Sequence, residues 1–153
     1  MEVIYVGFKT EKDMADLVIS SKYIKELFSS KNAKIYYEVE PQGLFGIPDL
    51  IISNINDTDI QVFAFEFKLS NWKRALKQAF RYRSFAHYSY VLMDQDFVNP
   101  ALNNIDEFKR TNIGLMTIDI EGNITVYFQP NFEQPYSERL QRALESMIID
   151  AIR

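Results

Sequence analysis

Cysteine is absent from this chain of 153 residues, which excludes disulfides, thiolate zinc sites and cysteine nucleophiles. Its absence fits a reducing compartment, so we expect a cytoplasmic protein. The sequence also lacks a run of about 18 apolar residues, and its N-terminus lacks the basic start and small-residue cleavage site of a leader. We therefore expect neither a signal peptide nor a membrane partner.

Histidine is nearly as scarce, because His87 is the only one in the chain. A single histidine after a helix fits a structural role better than a catalytic one. No Ser-His-Asp motif and no glycine-rich phosphate loop of the P-loop or dinucleotide-binding type is present. The length and the 47% hydrophobic composition fit one domain with a sizeable core, and we take residues 1–153 as that domain.

The net charge of −4 opposes nucleic-acid binding by the chain as a whole. The distribution of charge is uneven, however, because the segment Asn71 to Ala86 contains five basic residues and no acidic one. These residues are Lys73, Arg74, Lys77, Arg81 and Arg83. They indicate either an ordinary solvated face of a helix or a surface that holds a polyanion.

The spacing of apolar residues predicts an α/β chain. After the N-cap Thr10, helical spacing predicts one helix that ends near residues 29–31. Alternation predicts strands over 34–40, 49–53 and 60–69, a helix over 72–86 and a strand over 88–93. A helix over 100–110, a hairpin over 113–118 and 124–128, and an amphipathic helix from about Ser137 follow. We predict a single-domain α/β fold with a central mixed β-sheet flanked by helices.

The third predicted strand carries two charges at its end. Phe63, Phe65 and Phe67 lie on one face, while Glu66 and Lys68 share the other. Burying either charge is costly unless it is paired or bound to an ion. The alternative is a strand end that reaches solvent with a weak Glu-Lys pair.

Asp49 opens the second predicted strand, after the turn Gly46-Ile47-Pro48. The short polar segment 54–59 predicts antiparallel pairing of the second and third strands, so Asp49 is expected near Glu66 if the register allows. Adjacent carboxylates repel and raise each other's pKa, and a hard divalent cation such as Mg²⁺ removes that conflict. The alternative is a turn that merely leads into a strand.

Gln78 and Tyr82 are four residues apart on the following helix and so lie on one face, with Arg74 and Arg81 on the same side. Gln78 can orient a water or the amine of Lys68, and Tyr82 can contact a phosphate. The residues expected to pack on the sheet are Ala75, Ala79 and Phe80.

Together, the fragments GxPD, ExK and QxxxY occur in this order on strand, strand and helix. The combination resembles the PD-(D/E)xK nuclease superfamily, whose restriction-endonuclease-like core is α-β-β-β-α-β. The QxxxY element resembles the branch that contains the RecB-type nucleases. The resemblance covers roughly residues 10–93, and the C-terminal hairpin and helix lie outside it.

The resemblance implies that Asp49, Glu66 and the main-chain carbonyl of Phe67 bind Mg²⁺ or Mn²⁺. It implies that Lys68 positions, or helps to deprotonate, the attacking water. One further acid is expected to join the metal site; the candidates are Glu11, Glu38 and Glu40.

The resemblance further implies that Gln78 and Tyr82 support the site. The residues expected to hold the nucleic-acid backbone are Lys73, Arg74, Lys77 and Arg81. The predicted activity is metal-dependent hydrolysis of DNA phosphodiester bonds, with RNA as an open alternative substrate. A catalytically silent nucleic-acid-binding or assembly module with the same fold is the competing hypothesis, and a homodimer is left open.

Overall fold

The chain builds a mixed β-sheet covered by helices. The computed structural model describes residues 7–27, 33–37, 46–55 and 59–151. In this part of the chain the strands are β1 (Ala33–Tyr37), β2 (Leu50–Ile55), β3 (Ile60–Lys68), β4 (Tyr88–Asp94), β5 (Gly114–Ile118) and β6 (Ile124–Phe128). They lie in the sheet in chain order. The pairs β3–β4 and β4–β5 are parallel, and the other neighbouring pairs are antiparallel.

Helices connect and cover these strands. They are α1 (Glu11–Ser20), α2 (Lys22–Leu27), α3 (Trp72–Tyr82), α4 (Asn99–Leu102), α5 (Ile105–Thr111) and α6 (Glu138–Ala151), with a 3₁₀ turn at Gln95–Phe97. Among the residues described, no helix is both long and apolar enough to cross a membrane. The predicted C-terminal hairpin and helix are confirmed.

The side chains of β3 alternate between two apolar layers, as predicted. Val62 and Ala64 pack in the core that contains α3, whereas Phe65 and Phe67 pack with Met14 of α1 on the other face of the sheet. Full burial of a side chain such as Phe65 contributes about 2 kcal/mol. Because helices cover both faces, the predicted α/β class with a central mixed sheet is confirmed.

The first helix differs from its prediction, because it breaks at Ser21. The backbone of Ser21 is extended, and its Oγ accepts a hydrogen bond of 3.3 Å from the Ile24 N–H. Serine favours such N-caps over helix interiors, so it starts a second helix where apolar spacing alone predicted continuity. Residues 38–40 of the first predicted strand lie outside the described residues.

Two further helix predictions were wrong. The helix expected over 100–110 is split into α4 and α5, with Asn103 and Asn104 between them. Helix α3 ends at Tyr82 instead of near residue 86. Phe80, expected to pack on the sheet, is 42% exposed because Ala75 and Ala79 with Tyr82 fill the buried stripe of α3.

Arg83 lies just after α3, and its side chain is only 4% exposed. Its Nη1 donates to the Thr111 carbonyl at 3.1 Å and to the Tyr136 hydroxyl at 2.6 Å. Its Nη2 pairs with the Glu133 carboxylate. The guanidinium therefore joins the end of α3 to the end of α5 and to the segment before α6, so one of the five basic residues of this region has a structural role.

Substitution Arg83→Ala is expected to lower the free energy of unfolding by about 2 kcal/mol, because it removes charge-assisted hydrogen bonds made by a buried group. Arg142 is a matched control, since its pair with Glu138 is 75% and 74% exposed at the two side chains. Arg142→Ala is expected to cost less than about 0.5 kcal/mol. Urea unfolding followed by circular dichroism measures both, and equal losses would contradict the structural role of Arg83.

Candidate functional site

Asp49 lies where β2 and β3 begin to part. The first residue of β2, Leu50, faces Phe65. The Asp49 N–H donates to the Phe65 carbonyl at 3.0 Å, and the Asp49 Oδ2 accepts from the Phe67 N–H at 2.7 Å. The carboxylate thus takes the place of a backbone acceptor and is fixed against β3 by its own hydrogen bond.

The carbonyl of Phe67 lies on the same side of β3 as Asp49, because the N–H and C=O of one strand residue point to the same neighbour. The residue before Asp49 is Pro48, and proline has no N–H to donate to this carbonyl. Asp49 and Phe67 also line a cavity of about 320 Å³ against α1. The carbonyl oxygen is therefore placed to serve as a ligand beside the Asp49 carboxylate.

Glu66 lies next to Asp49 but is buried, with 4% of its surface exposed, whereas Asp49 is exposed. The pKa of Glu66 is raised to about 7, first by burial and then by the charge of Asp49. The hydroxyl of Tyr82, which bonds to the Glu66 Oε2, and the ammonium of Lys68 offset part of this rise. The pKa of Asp49 is also raised, mainly by loss of hydration, although the Phe67 N–H lowers it.

The pKa of each carboxyl group is raised, that of Glu66 partly by the charge of Asp49, so ionising both groups together is unfavourable when no cation is present. A divalent cation would relieve the same repulsion, since carboxylate oxygens are ligands for it. With the Phe67 carbonyl, the donor set is made only of oxygens, which suits Mg²⁺ because this ion is held by one or two carboxylates and keeps several waters. The residues present therefore fit the metal that the resemblance implies.

Lys68 links the site to α1. Its Nζ lies 3.8 Å from the Glu66 Oε1 and 3.8 Å from the Glu11 Oε1, and its side chain is 18% exposed. Glu11 therefore contacts Lys68 at the edge of the site. Among the described residues, no group of three or more His, Cys, Asp or Glu side chains is placed to hold a metal ion. The alternative acids Glu38 and Glu40 lie outside the described residues.

Tyr82 holds the loop before β2 as well as the buried acid. Its hydroxyl lies 2.9 Å from the Ile47 carbonyl and within hydrogen-bonding distance of Glu66. Because the hydroxyl carries one proton, it donates to one of these oxygens at a time. Gly46 has a φ of +91°, and a Cβ there would lie 2.8 Å from the Tyr82 ring. The glycine of GxPD is thus required both by its backbone conformation and by its contact with the tyrosine of QxxxY.

Gln78 lies one turn before Tyr82 on the same face of α3. Its Oε1 is buried and has no hydrogen-bond partner within the described residues. A buried acceptor of this kind is expected to receive a hydrogen bond from a water or an ammonium group.

The predicted backbone-binding residues Lys73, Arg74, Lys77 and Arg81 are all exposed on α3.

His87 takes no part in this site. Its Nδ1 accepts a hydrogen bond of 3.0 Å from the Val62 N–H, and burial lowers its pKa. It is therefore held as a neutral imidazole that satisfies the backbone of β3, which is the structural role expected from the sequence.

The structure brings Asp49, Glu66, Lys68 and Tyr82 together, with Glu11 at the edge of the group. The contact of Gly46 with Tyr82 was not expected from sequence, and the only signal for it was the glycine itself. No protein-family model and no curated protein matches the chain.

Gly46→Ala is expected to destabilise the fold by about 3 kcal/mol, because the new methyl group adds a clash with Tyr82 to the strain of a positive φ. Gly122 is a matched control, since its φ of +88° is similar but a Cβ there would meet only Leu17 at 3.7 Å. Gly122→Ala is expected to cost about 1 kcal/mol. Thermal unfolding measures the difference, and equal losses would contradict the Gly46–Tyr82 contact.

In metal-free buffer, the protein is expected to lose stability as the pH rises through about 7, because the pKa of Glu66 is about 7 in the folded state and 4.5 in the reference state. The stability contributed by the protonated group is present below pH 4.5 and amounts to about 3 kcal/mol. Glu66→Gln is expected to remove this dependence, while Glu138→Gln, at an exposed position, keeps it. Urea unfolding between about pH 5 and pH 8 gives the profiles, and parallel profiles for wild type and Glu66→Gln would contradict the assignment.

Proposed function

We propose that the protein is a metal-dependent nuclease of the PD-(D/E)xK type that hydrolyses phosphodiester bonds of DNA. The observation that carries the proposal is the convergence of Asp49, Glu66 and Lys68 at the end of β3. Burial makes this arrangement costly for folding alone, since it raises the pKa of Glu66 to about 7. Such a site is typical of function because stability would favour apolar residues there.

Asp49 and Glu66 would hold Mg²⁺ or Mn²⁺ together with the Phe67 carbonyl, since Asp49 contacts Phe67 and its charge acts on Glu66. When bound, such an ion polarises the phosphate and lowers the pKa of a coordinated water. The hydrogen bond from the Phe67 N–H fixes the Asp49 carboxylate in position, and Tyr82 does the same for Glu66. The protein groups are thus oriented before any substrate binds.

Lys68 supplies a positive charge where negative charge develops on the phosphate during hydrolysis. Its ammonium lies between Glu66 and Glu11 at 3.8 Å from each, and both contacts are longer than a tight charged hydrogen bond. The group is therefore held near the site without being fully engaged by either acid. Gln78, with its buried carbonyl oxygen, would orient a water or this ammonium.

The exposed basic residues of α3 would hold the phosphate backbone beside the site. They are Lys73, Arg74, Lys77 and Arg81. Contacts of this kind are electrostatic, so substrate binding should weaken as salt rises. A cytoplasmic location and a homodimer stay predictions from the sequence.

Lys68→Ala is expected to lower DNA cleavage about 100-fold or more, because one preorganised charge at the reacting phosphate is lost. Asp49→Asn is expected to lower it as well, since it removes a charged ligand. Lys12→Ala is the control: Lys12 also lines the cavity but its side chain is 79% exposed and pairs with Asp16, so cleavage should be unchanged.

Nicking of plasmid DNA and cleavage of labelled single strands, each with Mg²⁺ and with Mn²⁺, measure these effects. Equal cleavage by wild type and Lys68→Ala would contradict the site. Absence of cleavage with either ion, together with DNA binding that is insensitive to metal, would instead identify a catalytically silent binding module.

A further inference from the structure

Two aromatic rings are exposed beside the basic face of α3. Phe80 is 42% exposed and Tyr136 is 58% exposed. Their ring centroids lie 5.9 Å apart, with 51° between the ring planes. The proposed hydrolysis uses neither ring, and the packing of the core requires neither, since Ala75 and Ala79 cover the sheet.

The ring of Tyr136 is held rigidly although most of the residue is exposed. Its hydroxyl accepts a hydrogen bond of 2.6 Å from Arg83, and its backbone N–H donates to the Arg83 carbonyl at 3.0 Å. The Arg83 guanidinium also lies 4.5 Å from the ring centroid. Because Arg83 is itself buried, the tyrosine has little freedom left to lose when a ligand stacks on it.

Basic side chains flank Phe80 along α3. Phe80 lies three residues after Lys77 and seven after Lys73, so the three side chains form one stripe along α3. Glu133, which lies near Tyr136, is paired with Arg83. An anionic ligand with flat, apolar groups therefore matches both the charge and the chemistry of this surface.

We propose that Phe80 and Tyr136 form a base-stacking platform for single-stranded nucleic acid. This inference rests on the proposed function, because it names single strands as the substrate class of that nuclease. Bases in a duplex stack on one another and do not offer their faces to side chains, whereas unpaired bases do. The rings stack the bases, and the neighbouring lysines neutralise the phosphates.

The position of the platform on α3 defines its relation to the candidate site. Phe80 and Tyr82 are two residues apart, about 200° around the helix, so the platform and the site lie on opposite sides of α3. Going around the helix from Tyr82, the exposed positions Arg81 and Lys77 come before Phe80. A helix with its side chains is about 10–12 Å across, so the stacked bases belong to nucleotides a short distance along the strand from the cleaved bond.

Binding to single strands of about 12 nucleotides tests the platform without cleavage, in buffer with EDTA and low salt. Fluorescence anisotropy compares a base-bearing strand, an abasic strand with the same number of phosphates, and a duplex. Wild type is expected to prefer the base-bearing strand over the abasic one by about tenfold or more. Phe80→Ala is expected to lose this preference while keeping its affinity for the abasic strand, and Tyr136→Phe, which keeps the ring, should retain it.

Phe97→Ala is the matched control, because Phe97 is 39% exposed but lies outside α3. It should keep the preference for bases. Equal affinity of wild type for base-bearing and abasic strands, or loss of the preference in Phe97→Ala as well, would overturn the platform even if the protein cleaves DNA. Loss of the preference in Phe80→Ala alone, in a protein that never cleaves, would support the platform and overturn the nuclease. Tighter binding of duplex than of single strand would also overturn the platform.

Discussion

The site depends on two neighbouring carboxyl groups of which only one reaches solvent. Glu66 is buried and Asp49 is exposed, so ionising both places a charge in the interior beside another of the same sign. Three partners can relieve this conflict: a proton retained on Glu66, the ammonium of Lys68, or a bound cation. The proton and Lys68 act in the metal-free protein, where the pKa of Glu66 is about 7. The Tyr82 hydroxyl and the Phe67 N–H then fix the orientation of the pair.

The topology of the sheet explains why fragments distant in sequence meet here. Antiparallel pairing of β2 with β3 carries Asp49 to the end of β3 at which Glu66 and Lys68 lie. The parallel pairing of β3 with β4 requires a crossover, and α3 is that crossover. Because α3 returns across the same face of the sheet as the Glu66 side chain, Tyr82 near its C-terminal end reaches the buried carboxylate. Sheet order and register thus supply the proximity that catalysis would need.

Features set by local patterns could be predicted from the sequence, and features set by packing could not. The alternation along β3 and the capping of α1 by Thr10 follow from short-range periodicity and side-chain hydrogen bonding. The burial of Arg83 depends on Thr111, Glu133 and Tyr136, which come from distant segments, and so the sequence grouped it with the solvated cations. The exposure of Phe80 has the same origin, because two alanines let α3 approach the sheet closely and leave no room for a large ring.

The distances from the Lys68 ammonium to Glu66 and Glu11 suggest how one side chain can serve both the metal-free fold and the proposed hydrolysis. An ammonium held at 3.8 Å by two acids is close enough to reduce their repulsion but too far for a tight hydrogen bond to either. If a cation binds between Asp49 and Glu66, it offsets negative charge of Glu66 that Lys68 otherwise offsets, while Glu11 still keeps the ammonium nearby. Lys68 would then be free to face a phosphate without leaving an unpaired charge in the interior. In the metal-free protein Lys68 would thus reduce the cost of burying Glu66, and in a metal-bound protein the same ammonium would face the substrate.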